Sequence, residues 1–219
     1  ERPNELQLDV DLQQAVLAGL YDLFQEEEKR NLTEAAKVTC SANDKSAPHP
    51  SVVLSAEEDA EAGLLAVCAQ AILPELNRAS TSKKSDVRNS VVMLLGLLAR
   101  QGLVLPAKIV PALFGLLVDG SMRCRESALH VVSFLADRHQ GMLSSAAMLG
   151  IRSCFGHAHL TRSSFSRNGV VETICEYAID ERTGYSYLSP AMSMIHREQR
   201  RGILRSIVRA FDPRARTAL

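Results

Sequence analysis

The chain repeats itself at a spacing of 37 residues. Ile72-Leu73-Pro74 returns as Ile109-Val110-Pro111, and Leu76 returns as Leu113. Further along, Val87-Arg88 aligns with Cys124-Arg125, Ser90 with Ser127, Leu94-Leu95 with Val131-Val132, and Leu98-Ala99 with Leu135-Ala136. A fixed spacing of this length marks stacked supersecondary units, none of which buries its apolar face without a neighbour. Such a chain is expected to offer a broad surface to large partners rather than one deep pocket.

Each unit reads as two helices. In the second unit Pro106 suits a first helical turn, where the missing N–H costs nothing. Ile109, Leu113, Leu116 and Leu117 then form one apolar stripe at helical spacing. Asp119-Gly120-Ser121 interrupts it, with Ser121 placed as an N-cap. A second stripe of Cys124, Ala128, Val131, Val132 and Leu135 runs to the basic pair Arg138-His139. The first unit has Leu65, Cys68, Ile72 and Leu76 on its first helix. Its second helix is expected from Ser85, with Val87, Val91, Leu94, Leu95 and Leu98 facing inward, and Gly102 fits the left-handed position past a helix end. The register predicts that Leu94 and Val131 are buried at equivalent places.

Pro74 and Pro111 fall inside the first helices, where a proline removes one backbone bond and bends the axis. A bent helix, a polar turn and the triplet Asp86-Val87-Arg88 opening the next helix together resemble a HEAT repeat. The spacing is also near that of tetratricopeptide repeats, roughly 34 residues, but their Trp-containing pattern is absent and the chain has no Trp. The expected fold class is therefore all-α, a HEAT-repeat α-solenoid of antiparallel helix pairs. With 219 residues the chain is long enough for a sizeable core. No apolar run reaches the ~18 residues of a membrane span, and no signal peptide is visible.

The organisation divides into residues 1–54, an amphipathic helix over 11–30 (Leu12, Val16, Leu20, Leu23) and a linker over 40–54; residues 55–160, the repeats; and residues 161–219, a degenerate repeat with a basic C-terminal helix. Ser55 and Glu58 form a capping box at the start of the repeats, and residues 77–85 form a polar loop within the first. Helices are expected over 142–158, from Val170 to Ile179 and over about 191–211, with Thr183–Tyr187 as a turn-rich break. The first residue is Glu1 and no polar capping repeat closes either end, which suggests a piece of a longer protein. The five cysteines are odd in number and widely spaced, and Cys68 and Cys124, which lie on apolar stripes, read as small core residues in a reducing compartment. Net charge is zero but uneven: residues 1–70 carry 14 acidic and 5 basic side chains, and residues 71–219 carry 11 acidic and 20 basic. Separate faces or separate partners follow from that asymmetry.

Three stretches carry a more specific resemblance. They are Arg100-Gln101-Gly102-Leu103-Val104-Leu105-Pro106 with Ile109-Val110-Pro111, then Met148-Leu149-Gly150-Ile151-Arg152, and finally Met194 to Arg201 continuing through Leu204 to Phe211-Asp212. In this order they resemble the cohesin loader, the Nipped-B or adherin family of large HEAT-repeat proteins, over about residues 85–212. The resemblance implies a segment from the C-terminal half of a hook-shaped solenoid in the nucleus, on chromatin. It implies duplex DNA and the kleisin and ATPase-head subunits of cohesin as partners, with an accessory loader subunit outside this segment. Catalysis is then the partner's: the family holds DNA against the cohesin ATPase and stimulates it.

The residues themselves offer little catalysis or cofactor chemistry. A phosphate-binding Gly-rich loop with Lys-Ser/Thr, a Gly-x-Ser-x-Gly elbow and a His-Glu-x-x-His pair are all absent. Cys154, His157 and His159 come nearest to a metal cluster, but no second close ligand pair accompanies them. Neither an enzyme nor a cofactor protein is expected. The basic residues carry the functional reading. Arg197, Arg201, Arg205 and Arg209 recur every fourth residue beside an apolar face of Leu204, Ile207, Val208 and Phe211, and Glu198 is the single acid between residues 183 and 211. Lys83, Lys84 and Arg88 sit at the first unit's turn, with Arg123 and Arg125 one repeat later. The DNA-binding candidates are accordingly Lys83, Lys84, Arg88, Arg123, Arg125, Arg197, Arg201 and Arg205. Two other readings stand beside this one. The ridge serves as a solvated flank, or Arg88 and Arg125 brace neighbouring turns through Asp86 and Asp119. A protein-only scaffold that binds acidic or amphipathic peptides is the competing function.

Overall fold

The structure, a computed structural model, describes residues 3–41, 56–162, 179–180 and 182–211. These contain α1 (Pro3–Ser41), α2 (Ala56–Ala79), α3 (Ser85–Arg100), α4 (Pro106–Leu117), α5 (Met122–Arg162), α6 (Ser189–Met194) and α7 (Arg197–Phe211). The fold is all-helical among the described residues, where one isolated antiparallel bridge joins Ile179 to Ser186.

Helix boundaries follow local chemistry. Pro106 opens α4 after an extended Leu105, as its fixed φ favours. Gly102 takes φ 72° just beyond α3. Its N–H donates to the Ala99 carbonyl at 3.2 Å and that of Leu103 to the Leu98 carbonyl at 3.1 Å. This paired arrangement satisfies carbonyls that the helix end leaves open. The expected boundary at Arg138-His139 becomes a kink, with His139 at φ −135° and ψ 40° inside α5. The kink divides α5 into a first arm before His139 and a second arm after it.

The 37-residue spacing reappears as side-by-side packing. Along α3 and the first arm of α5, Cys124 Sγ donates to the Ser85 carbonyl at 3.4 Å and Ser127 Oγ to Asn89 Oδ1 at 3.2 Å. A Cβ added to Gly96 would come within 2.8 Å of Val131 Cγ2. Contacts that advance together along both helices mean the two run parallel. α2 is tied to α4 and to the turn before it through Gln70, with Lys108 Nζ donating to Gln70 Oε1 at 3.0 Å and Gln70 Nε2 to the Leu103 carbonyl at 2.9 Å. One step on, α4 meets the second arm: Cys154 Sγ donates to the Phe114 carbonyl at 3.2 Å, and a Cβ on Gly150 would strike Phe114. Leu94 and Val131 are both buried, as are Ile109, Leu113, Leu116 and Leu117.

Several expectations need correction. α1 extends from Pro3 to Ser41 rather than over 11–30, and it packs on α3, where Gln101 Nε2 donates to the Phe24 carbonyl at 2.5 Å. Cys68 is exposed, because the buried stripe of α2 is Ala69, Leu73 and Leu76 and one residue's step turns a helix by about 100°. The polar loop shrinks to residues 80–84 and is fastened by Arg88. The final helix is two: Ile195 is extended (φ −76°, ψ 135°) with its side chain buried, so tertiary burial redirects the chain there. On α7 the inward residues are Ile203 and Ile207, while Leu204 and Val208 face solvent. The linker over 42–54, Ser55 of the capping box and residues 170–178 of the expected helix from Val170 lie outside the described residues.

Candidate nucleic-acid interface

Asp119, in the turn between α4 and α5, organises one edge of the stack. Its side chain is fully buried, and a buried carboxylate requires partners. Arg88 supplies a two-pronged one, Nε donating to Oδ2 at 2.6 Å and Nη2 to Oδ1 at 2.7 Å. His157 Nε2 lies 2.8 Å from Oδ2; the carboxylate only accepts, so that nitrogen carries the proton. The Ser121 N–H donates to Oδ1 at 2.7 Å. Burial by itself would push the Asp119 carboxyl upward, but the bonds from His157, Arg88 and Ser121 outweigh it and hold the group well below the usual carboxylate range.

This cluster stitches together three parts of the chain. Arg88 is in the first turn of α3, Asp119 precedes α5, and His157 is in the second arm. Arg88 Nη1 also donates to the Ser82 carbonyl at 2.7 Å and the Lys83 carbonyl at 3.1 Å. Arg125 Nη1 donates to the Asp119 carbonyl at 2.6 Å and the Gly120 carbonyl at 3.2 Å. Its guanidinium stacks 4.2 Å from the centre of the Tyr187 ring.

The eight candidate cations divide on these contacts. Arg88 is buried with every guanidinium nitrogen engaged, which removes it as a phosphate contact. Asp119 braces it as one reading held, whereas Asp86 is exposed and forms no ion pair among the described residues. Arg125 is half-buried and largely given to the turn. Lys83, Lys84 and Arg123 remain exposed, and the Arg88–Asp119 pair and the Cys124–Ser85 bond bring their two turns to one edge. The N-termini of α3 and α5 open at the same edge, and helix N-termini carry partial positive charge. Arg197, Arg201 and Arg205 are exposed along α7, with Arg201 3.2 Å from Glu198. α7 packs on α5, where Ser144 Oγ donates to Gln199 Oε1 at 2.5 Å.

Two participants escaped the sequence reading. His157 was weighed as a metal ligand with Cys154 and His159; the first two turn to different partners, and the side chain of His159 is outside the described set. Burial pushes the Cys154 thiol up to about 12. The available signal for His157 was its place on the stripe of Cys154 and Ala158, one repeat step beyond Asp119. Tyr187 under Arg125 had no local signal, since 62 residues separate them.

A family model described as sister chromatid cohesion C-terminus (Nipped-B_C) matches residues 66–218, well over half the chain. No curated protein matches it.

Proposed function

The chain belongs to the Nipped-B_C family, sister chromatid cohesion C-terminus, and on that premise we propose that it is a DNA- and cohesin-binding solenoid segment of a cohesin loader. It works in the nucleus on chromatin as a binding surface, without chemistry of its own. The parallel, period-spaced packing of α3 with the first arm of α5, and of α4 with the second, supports a HEAT-type solenoid. A stiff stack of this kind holds duplex DNA and the ATPase-head and kleisin subunits of cohesin at a set distance, and ATP hydrolysis is the partner's.

The observation that carries the DNA reading is the edge where Lys83, Lys84 and Arg123 stand exposed beside two helix N-termini. The first turn of α5 contains no acid, and that of α3 contains one, the exposed Asp86. Phosphate contacts from such groups carry no base information, so binding is expected to be indifferent to sequence.

Fluorescence anisotropy of a labelled duplex across a salt series tests this. Each phosphate contact steepens the fall of log affinity with log salt by about 0.9. Lys83→Glu, Lys84→Glu and Arg123→Glu together should weaken binding and flatten the slope by roughly two to three, and should lower DNA-dependent ATP hydrolysis by cohesin. Arg88 stays in place, because its removal would disturb the fold. Unchanged affinity and slope in the triple variant would refute DNA binding at this edge.

A further inference from the structure

Two helices at different places in the fold present outward faces that complement one another. On α7, Leu204 is 50% exposed and Val208 70% exposed, directly beside Arg197, Arg201 and Arg205. Phosphate gains nothing from leucine and valine, so these two residues are unexplained by a nucleic-acid surface. Four arginines spaced every fourth residue also repel one another along the ridge, and only Arg201 has an acidic neighbour among the described residues.

The outer face of α1 is the counterpart. Leu12, Val16 and Leu23 are each more than half exposed, in line with Gly19, whose missing Cβ has nothing within 4 Å. A mid-helix glycine with no packing partner lowers helix stability but lets another helix approach closely. Asp22 and Glu26 flank the stripe, exposed and without an ion pair among the described residues. They sit four apart, the spacing of Arg201 and Arg205. Leu12 to Glu26 covers about 21 Å of helix axis and Arg197 to Arg209 about 18 Å, at roughly 1.5 Å per residue.

We propose that α1 of one copy docks on α7 of a second copy, apolar stripe against Leu204 and Val208, with Asp22 and Glu26 set against Arg201 and Arg205. Both faces are exposed within a single molecule, so the contact is between copies. A pair of helices this short buries less than the roughly 1,200 Å² of a standard interface. The association is therefore weak, and it depends on salt because its charges are at the surface.

Sedimentation velocity of the whole chain over a concentration series, without DNA, reads this directly. At about 50 mM salt the average mass should rise above the monomer with concentration, and at about 500 mM it should return to the monomer, since ions screen charges beyond several ångströms. Asp22→Arg with Glu26→Arg should abolish association, and so should Arg201→Glu with Arg205→Glu. Mixing the two doubly reversed proteins should restore it, because each then offers the other a complementary pair. Circular dichroism verifies that both remain helical, and Leu204→Ser with Val208→Ser provides a variant that leaves the charges untouched and should also be monomeric. A monomer at every concentration, or association indifferent to these reversals, overturns the proposal. Lys83→Glu with Lys84→Glu should leave association intact, so failure here and failure of DNA binding are separable.

Discussion

Removing the carboxylate of Asp119 should be among the most damaging single changes in this chain. In Asp119→Ala, Nε and Nη2 of Arg88 and Nε2 of His157 lose the partner that they reach at 2.6, 2.7 and 2.8 Å. Arg88 cannot turn to water, since its side chain is 7% exposed, although Nη1 keeps the Ser82 and Lys83 carbonyls. Breaking a buried pair from one side costs about 3–5 kcal/mol, a large share of the roughly 5–15 kcal/mol that stabilises a domain. Urea unfolding followed by circular dichroism measures it. With a slope of about 2 kcal/mol/M the midpoint should fall by roughly 1.5–2.5 M. The pH dependence supplies a second reading with a defined sign. The folded carboxyl is held below its unfolded value near 3.9, so its contribution is complete above that pH. It is lost as pH falls below about 4 toward the depressed folded value. The wild type should therefore lose stability on acidification below about pH 4 more steeply than Asp119→Ala. A loss under about 1 kcal/mol, or identical acid profiles, would refute the account of Asp119 as the centre of this edge.

Leu94→Ala opens a cavity between α3 and its neighbours and should cost about 2–5 kcal/mol in the same assay. Gly150→Ala should cost about 1–3 kcal/mol, because the new methyl would come within 2.6 Å of Phe114 Cγ; no loss would mean α4 and the second arm are less closely set.

Periodicity made the layers legible. Helical stripes recur because each layer buries the same kind of face, so Leu94, Val131 and Leu113 could be named as core from spacing alone. Pro106 and Gly102 could be placed because their backbone preferences are local. Family membership was likewise readable from runs such as Arg100 to Pro106, which repeat chemistry alone does not require. Cys68 was misjudged because a helix offers more apolar residues than its neighbours cover, and only the packing angle selects among them. Ile195 shows the same limit for the backbone, where burial overrides a helical run. Arg88 was the sharpest reversal. A guanidinium at a turn looks alike whether it awaits phosphate or a carboxylate 31 residues away. Proximity of Asp119 and His157 turned this one inward, while Lys83, Lys84 and Arg123 stayed outside. The sequence by itself determined the period, the apolar stripes and the supply of charge. Which charges are spent internally was decided by the tertiary structure, because ion pairing depends on distances between layers that no local pattern encodes.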